Sequence, residues 1–165
     1  MNTRALFGLS FLVSATAFGV VVSLYLWSRL RRLEQNAALR AWVVPHIFRF
    51  IGLSFLVPGV VSPALPSGFA VPAAYGDIVA ALLALATTIA LSRLASAATP
   101  LVWIFNVWGA GDFLLAFYNG ARFNLDPGTL GAAFYIPTAI VPPLLILHGL
   151  VFWLLIRPNH RGAQI

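Results

Sequence analysis

The chain has 165 residues, 61% of them hydrophobic and 8% charged, with ten basic and four acidic side chains and a formal net charge of +6. A soluble domain averages roughly 45–50% apolar and about a quarter charged, so so few charges cannot clothe a water-facing globule, and the solvent this composition tolerates is a bilayer. Cysteine and lysine are absent, which excludes disulfides, thiolate ligands, covalently attached haem and a Schiff base to retinal or pyridoxal phosphate.

About 20 residues of helix cross roughly 30 Å of hydrocarbon, and five apolar stretches reach that length. The first runs from Ala5 to Trp27. Arg4 and the Ala15-Thr16-Ala17 triplet imitate a signal peptide with its cleavage site, but the apolar run continues past the triplet and predicts a retained span. A loop carrying Arg29, Arg31, Arg32 and Arg40 follows, and then Val44 to Val61, which opens on Val44-Pro45. Residues 62–72 are rich in Pro, Ser and Gly and predict a non-helical external loop. The third span is Ala73 to Leu91 and the fourth Pro100 to Tyr118, where Thr99-Pro100 has the form of an N-cap and first helical residue. After a turn at 119–129, Asp126-Pro127 repeats that form, and the fifth span covers Leu130 to Ile156. Its Pro137, Pro142 and Pro143 remove backbone donors and predict a kink near Ile140, whose freed carbonyls either find partners in the bundle or line a cavity.

The fold expected is therefore an all-α integral membrane protein, a single domain forming a five-transmembrane-helix bundle. Arg29, Arg31, Arg32, Arg40, Arg93, Arg157 and Arg161 fall on one side of it, Arg4 and Arg122 on the other. The positive-inside bias then puts the N-terminus outside and the C-terminus in the cytoplasm of what we expect to be a bacterial cytoplasmic membrane. Topology and attraction to anionic headgroups account for the basic charge, so the lipid bilayer is the expected partner and nucleic acid is not. Small residues recur every four positions in span one (Ala15, Gly19, Ser23) and span three (Ala80, Ala84, Thr88, Ser92), the pattern of close helix packing. Such seams would serve within the bundle, in a homodimer, or against a larger membrane complex.

Ionisable groups inside a span raise a functional question. At 1.5 Å per residue from the cytoplasmic end of each span, His46 lies about 3 Å in, Arg49 and Asn106 about 8–9 Å, His148 about 12 Å and Asp112 about 18 Å. Asp112 shares a helix face with Gly109, Ala116 and Asn119, flanked by Asn106 and bordered by Trp103, Trp108, Phe113 and Phe117. It reads as a neutral hydrogen-bonded acid, as the partner of Arg49, or as a group handling a proton, cation or substrate. Arg49 is expected to snorkel to the cytoplasmic interface. Asp77 and Asn119 are expected near the external face, with Asp77 one turn into its helix and solvated there or serving the helix dipole. His46 and His148 form the one conceivable haem or metal pair, but with no third ligand at suitable spacing no metal site is assigned. His160 lies in the tail at the interface.

Nucleotide, metalloprotease and hydrolase motifs are all missing. The reading that follows is a small membrane protein whose polar cavity, built from Asp112, Asn106, Arg49 and His148, binds or transports a small solute or lipophilic ligand. Two alternatives stand beside it: a structural or accessory subunit of a larger complex, and a membrane enzyme acting on a lipidic substrate. The enzyme lacks a second carboxylate or nucleophile at the depth of Asp112.

Overall fold

The computed structural model describes residues 2–30 and 32–157; the expectations placed on Arg31, His160 and Arg161 lie outside the described residues. Those residues form six α-helices and no strand. Helix α1 (Thr3–Val21) is capped by Asn2, whose side chain accepts from the Ala5 amide at 2.8 Å, and continues through a π segment (Val22–Leu26) into α2 (Trp27–Leu30). Helix α3 (Gln35–Val43) runs directly into a 3₁₀ helix (Val44–Leu56). Two long helices follow, α4 (Ser67–Ser92) and α5 (Ala98–Arg122), then a short 3₁₀ helix (Pro127–Phe134), a π segment (Ile136–Ile140) and α6 (Val141–Ile156). Five continuous stretches, Thr3–Leu30, Gln35–Leu56, Ser67–Ser92, Ala98–Arg122 and Ile136–Ile156, are long and apolar enough to cross a membrane.

Four helix starts differ from those expected, the fifth stretch beginning at Ile136 instead of Leu130 because Pro127–Phe134 form a separate 3₁₀ helix broken at Gly131. The second stretch begins at Gln35 instead of Val44, because α3 is amphipathic: Ala38, Leu39, Trp42 and Val43 are buried while Arg40 points outward and donates to the Ser92 hydroxyl at 3.4 Å. The third begins at Ser67, before Pro72, since a proline in the second turn forfeits a single backbone bond. The N-cap of α5 is Ala97, with no side-chain bond, so Thr99 and Pro100 lie inside the first turn, where the missing N–H has no intrahelical partner to lose. Asp126 does cap, accepting from the Gly128 amide at 3.0 Å, but its helix is the short 3₁₀ element.

Helix α4 occupies the middle, packed on the 3₁₀ helix Val44–Leu56, on α3 and on α5, while α6 packs on α5, α3 and α1. The small residues of α4 are in part the seam expected: Ala80 and Ala84 are fully buried, Thr88 is half-buried and Ser92 is exposed at the helix end. Those of α1 are not: a Cβ on Gly19 would meet nothing within 4 Å, and Ser23 is exposed. Larger side chains seat this helix, Phe7 against Phe134 and Phe11 against Phe117 at centroid distances of 5.8 and 6.1 Å.

Across its prolines the last stretch passes through the π segment Ile136–Ile140, and one carbonyl they free is answered within the bundle. Pro143 cannot donate to the Ala139 carbonyl four residues earlier, and Ser14 of α1 donates to it instead at 3.2 Å. The Phe134 carbonyl accepts from the Thr138 hydroxyl at 2.7 Å. At the same end of the bundle, the Ser62 amide donates to the Thr129 carbonyl and the Ala132 amide to the Val60 carbonyl, both at 2.9 Å, fastening the 57–66 loop to the short 3₁₀ helix. Gly131 makes this approach possible: its φ is +53°, and a side chain there would run into the Val60 carbonyl. Arg4 joins this end by donating to Asn124 at 2.8 Å.

Candidate functional site

His46, Arg49, Gly52 and Phe55 are the buried residues of the 3₁₀ helix, and they recur every third position. A 3₁₀ helix has three residues per turn, so this spacing makes one straight stripe, whereas in an α-helix it would wind around the axis. The element is 13 residues long, although 3₁₀ runs beyond about four residues are uncommon. Its greater rise also sets the depth of Arg49. Seven residues at about 2.0 Å place Arg49 about 14 Å from Leu56, and ten residues at about 1.5 Å place Asp77 and Asp112 each about 15 Å from Ser67 and Arg122 at the same end of the bundle. Three elements thus deliver one arginine and two aspartates to one layer.

The guanidinium is fully enclosed, with Arg49 1% exposed. Its Nε donates to Asp77 Oδ1 at 2.7 Å and one terminal nitrogen to Asp112 Oδ2 at 2.5 Å, so a single planar fork bridges two helices. The other terminal nitrogen donates to the Gly109 carbonyl at 3.1 Å and faces His148 Nε2 at 3.4 Å. The Phe113 ring lies beneath, its centroid 3.8 Å from the guanidinium carbon. Arginine only donates, so His148 Nε2 is the accepting nitrogen and Nδ1 carries the hydrogen, which it donates to Asn106 Oδ1 at 2.6 Å. The Asn106 amide group completes the ring by donating to the His148 carbonyl at 3.2 Å.

Glycines make the space for this layer. A Cβ on Gly52 would overlap the Asp77 carboxylate, one on Gly76 the Asp112 carboxylate, and one on Gly109 both His148 and Arg49. The indole of Trp108 covers the same region from α5, donating to the Gly76 carbonyl at 3.4 Å.

All four residues read from the sequence as a polar layer, Asp112, Asn106, Arg49 and His148, meet in this network, and three expectations are corrected. Arg49 does not snorkel, because two carboxylates and a carbonyl meet its donors where it stands. Asp77 is not at an external surface: α4 starts at Ser67, so the side chain lies deep in the bundle, 7% exposed and paired to Arg49. Asn119 is buried near the end of α5, and no side-chain bond joins it to the network among the described residues. His46, expected at a different depth from His148, packs against it with ring centroids 4.2 Å apart and planes inclined by 50°. Rings so placed leave no room for a macrocycle between them, so the pair does not fit axial ligation of a haem. Neither ring nitrogen of His46 meets a protein partner among the described residues, and no cluster of three His, Cys, Asp or Glu side chains gathers there to hold a metal ion.

A cavity of about 270 Å³ rises from this layer toward the end of the bundle that holds Arg4, Leu125 and Pro127. Asp77 and Asp112 are its polar wall, and Phe7, Phe55, Phe69, Phe113 and Phe117 dominate the rest. The kinked last stretch contributes Ile136, Pro137 and Val141, so its side chains line the cavity while its Ala139 carbonyl is bonded to Ser14. Gly52, Gly76 and the phenylalanines of α4 and the 3₁₀ helix are the part of the site missed from sequence, and Asp77 was singled out but placed at the wrong depth. The signal for it was the three-residue spacing of His46, Arg49, Gly52 and Phe55.

Residues 6–156 match one family model, Domain of unknown function (DUF8737). No curated protein and no solved structure matches the chain.

Proposed function

We propose, for a chain that belongs to the DUF8737 family, a multi-pass membrane protein whose cavity binds or passes a small lipophilic ligand. The observation that carries this reading is the cavity itself, apolar along its walls and ending on the Asp77–Arg49–Asp112 layer. Pockets for small molecules combine such apolar linings with a few convergent polar groups, although at about 270 Å³ this one is slightly below the usual size range and suits a compact ligand.

Membrane residence is supported by the outward faces of the helices, where Leu12, Leu24 and Leu114 are more than 60% exposed. Arginine placement supports an orientation with the N-terminus outside and the C-terminus in the cytoplasm: Arg29, Arg32, Arg40, Arg93 and Arg157 gather at one end and Arg4 and Arg122 at the other. The cavity then opens toward the outer face. Because the chain has no cysteine, single cysteines report sidedness directly. In intact cells an impermeant maleimide labels Ala64→Cys and spares Ala95→Cys; the opposite pattern inverts the orientation.

The cavity is tested by thermal unfolding of the detergent-purified protein with two probes of one shape, neutral neopentylbenzene and cationic benzyltrimethylammonium. A ligand present at 100 times its dissociation constant stabilises by about 2.7 kcal/mol. We expect saturable stabilisation by at least one probe and its loss in Ala116→Phe, which fills the cavity from α5. No stabilisation, or an equal effect on the variant, rejects the reading.

A further inference from the structure

We propose that the cavity takes a small organic cation with an aromatic or alkyl body, of the quaternary or tertiary ammonium class, and that this cation exchanges for a proton on the Asp77–Asp112 pair. The inference rests on the reading of the cavity as a ligand site and names the ligand.

Charge parity carries it. Among the described residues the charged and titratable groups facing the layer are His46 and Arg49 from the 3₁₀ helix, Asp77 from α4, Asp112 from α5 and His148 from α6, with Arg4 of α1 at the cavity's far end; the His46 ring, buried against His148 with no acceptor at either nitrogen, is neutral. His148 is neutral, since its Nε2 accepts from a guanidinium. One guanidinium and two carboxylates therefore sum to −1, and an unbalanced charge enclosed in apolar surroundings is costly. One further positive charge settles the layer, and there are two ways to supply it: a proton on a carboxyl oxygen, or a cation beside it.

The geometry accepts either. Arg49 engages Asp77 Oδ1 and Asp112 Oδ2, and among the described residues no donor reaches the second oxygen of either carboxylate. Both aspartates line the cavity, and four of the five phenylalanine rings around it are not engaged by Arg49. Aromatic faces beside a carboxylate are the surroundings that hold a poorly hydrated ammonium. An anion would meet like charge at the layer, and a neutral molecule would leave the surplus where it is. Arg4 bonds to exposed Asn124 at the mouth, where water and salt screen it. When the cation arrives, the proton leaves the carboxylic O–H for water at that mouth, and the layer's charge is unchanged.

The test compares benzyltrimethylammonium with neopentylbenzene, its uncharged carbon counterpart, by thermal-shift titration of the full chain in non-ionic detergent, with calorimetry of the cation in buffers of different ionisation enthalpy. The cation is expected to bind about tenfold or more tightly than the hydrocarbon, to release about one proton per site and to weaken as pH falls. Asp112→Asn is expected to lose the cation preference together with the proton release. Equal or tighter binding of the hydrocarbon, binding without proton release, or a preference that survives in Asp112→Asn overturns the inference while leaving the ligand cavity standing. Binding of neither probe overturns the cavity as well. The comparison of the two probes on the unaltered protein stands even where Asp112→Asn does not fold.

Discussion

Arg49→Met lowers the unfolding free energy in detergent by about 3–5 kcal/mol, the cost of removing one partner from a buried ion pair. The magnitude follows from what is left behind. Methionine fills much of the same volume, so packing over Phe113 is largely kept, but Asp77 and Asp112 lose the donor that bridges them and the Gly109 carbonyl loses its partner. Arg49→Lys is expected to fall between the two, because one ammonium on a flexible stem cannot reproduce the planar fork that reaches two helices at once. The combination Arg49→Met, Asp77→Asn and Asp112→Asn is expected to recover most of the loss, since it removes the whole charge set together. Chemical unfolding of the four proteins reads all of these. A triple variant as unstable as the single one would show that the layer matters through shape and not charge.

Gly76→Ala is the second large effect, a loss of about 3 kcal/mol, at the upper end of overpacking penalties. The added methyl group would occupy the place of the Asp112 carboxylate, so Asp112 must leave Arg49 or α4 must part from α5. Gly111→Ala on the neighbouring helix is the control: its Cβ meets nothing within 4 Å, and alanine is the better helix former by about 0.5–1 kcal/mol. A helix-propensity account predicts gains at both positions. Contact with the polar layer predicts a loss at Gly76 alone, and the same unfolding measurement separates the two. Rescue of Gly76→Ala by shortening Asp112 to Ser would tie the loss to the overlap.

Much of the helical fold, and half of the site, is written in local composition. Apolar stretches of membrane length announce themselves without knowledge of their neighbours, as do the kink at Pro137 to Pro143 and the segregation of arginines to one end. Asp112, Asn106, Arg49 and His148 stood out because polar groups are conspicuous in such stretches. The helix starts were hidden where a charge or a proline sits inside a helix, at Arg40 and Pro72, and the six residues misplaced at the start of α4 carried Asp77 to the wrong depth.

What the amino-acid order determined by itself is the all-helical class of the protein, its apolar stretches and the presence of a polar group in the middle of several of them. Only the tertiary structure decided that these groups form one network. Winding residues 44–56 at three per turn sets His46, Arg49, Gly52 and Phe55 in a single stripe, and the longer rise brings Arg49 level with two aspartates on other helices. Once level, Arg49 turns inward. Reaching water would leave two enclosed carboxylates without a counter-charge, and that cost exceeds whatever hydration of one guanidinium at the interface returns.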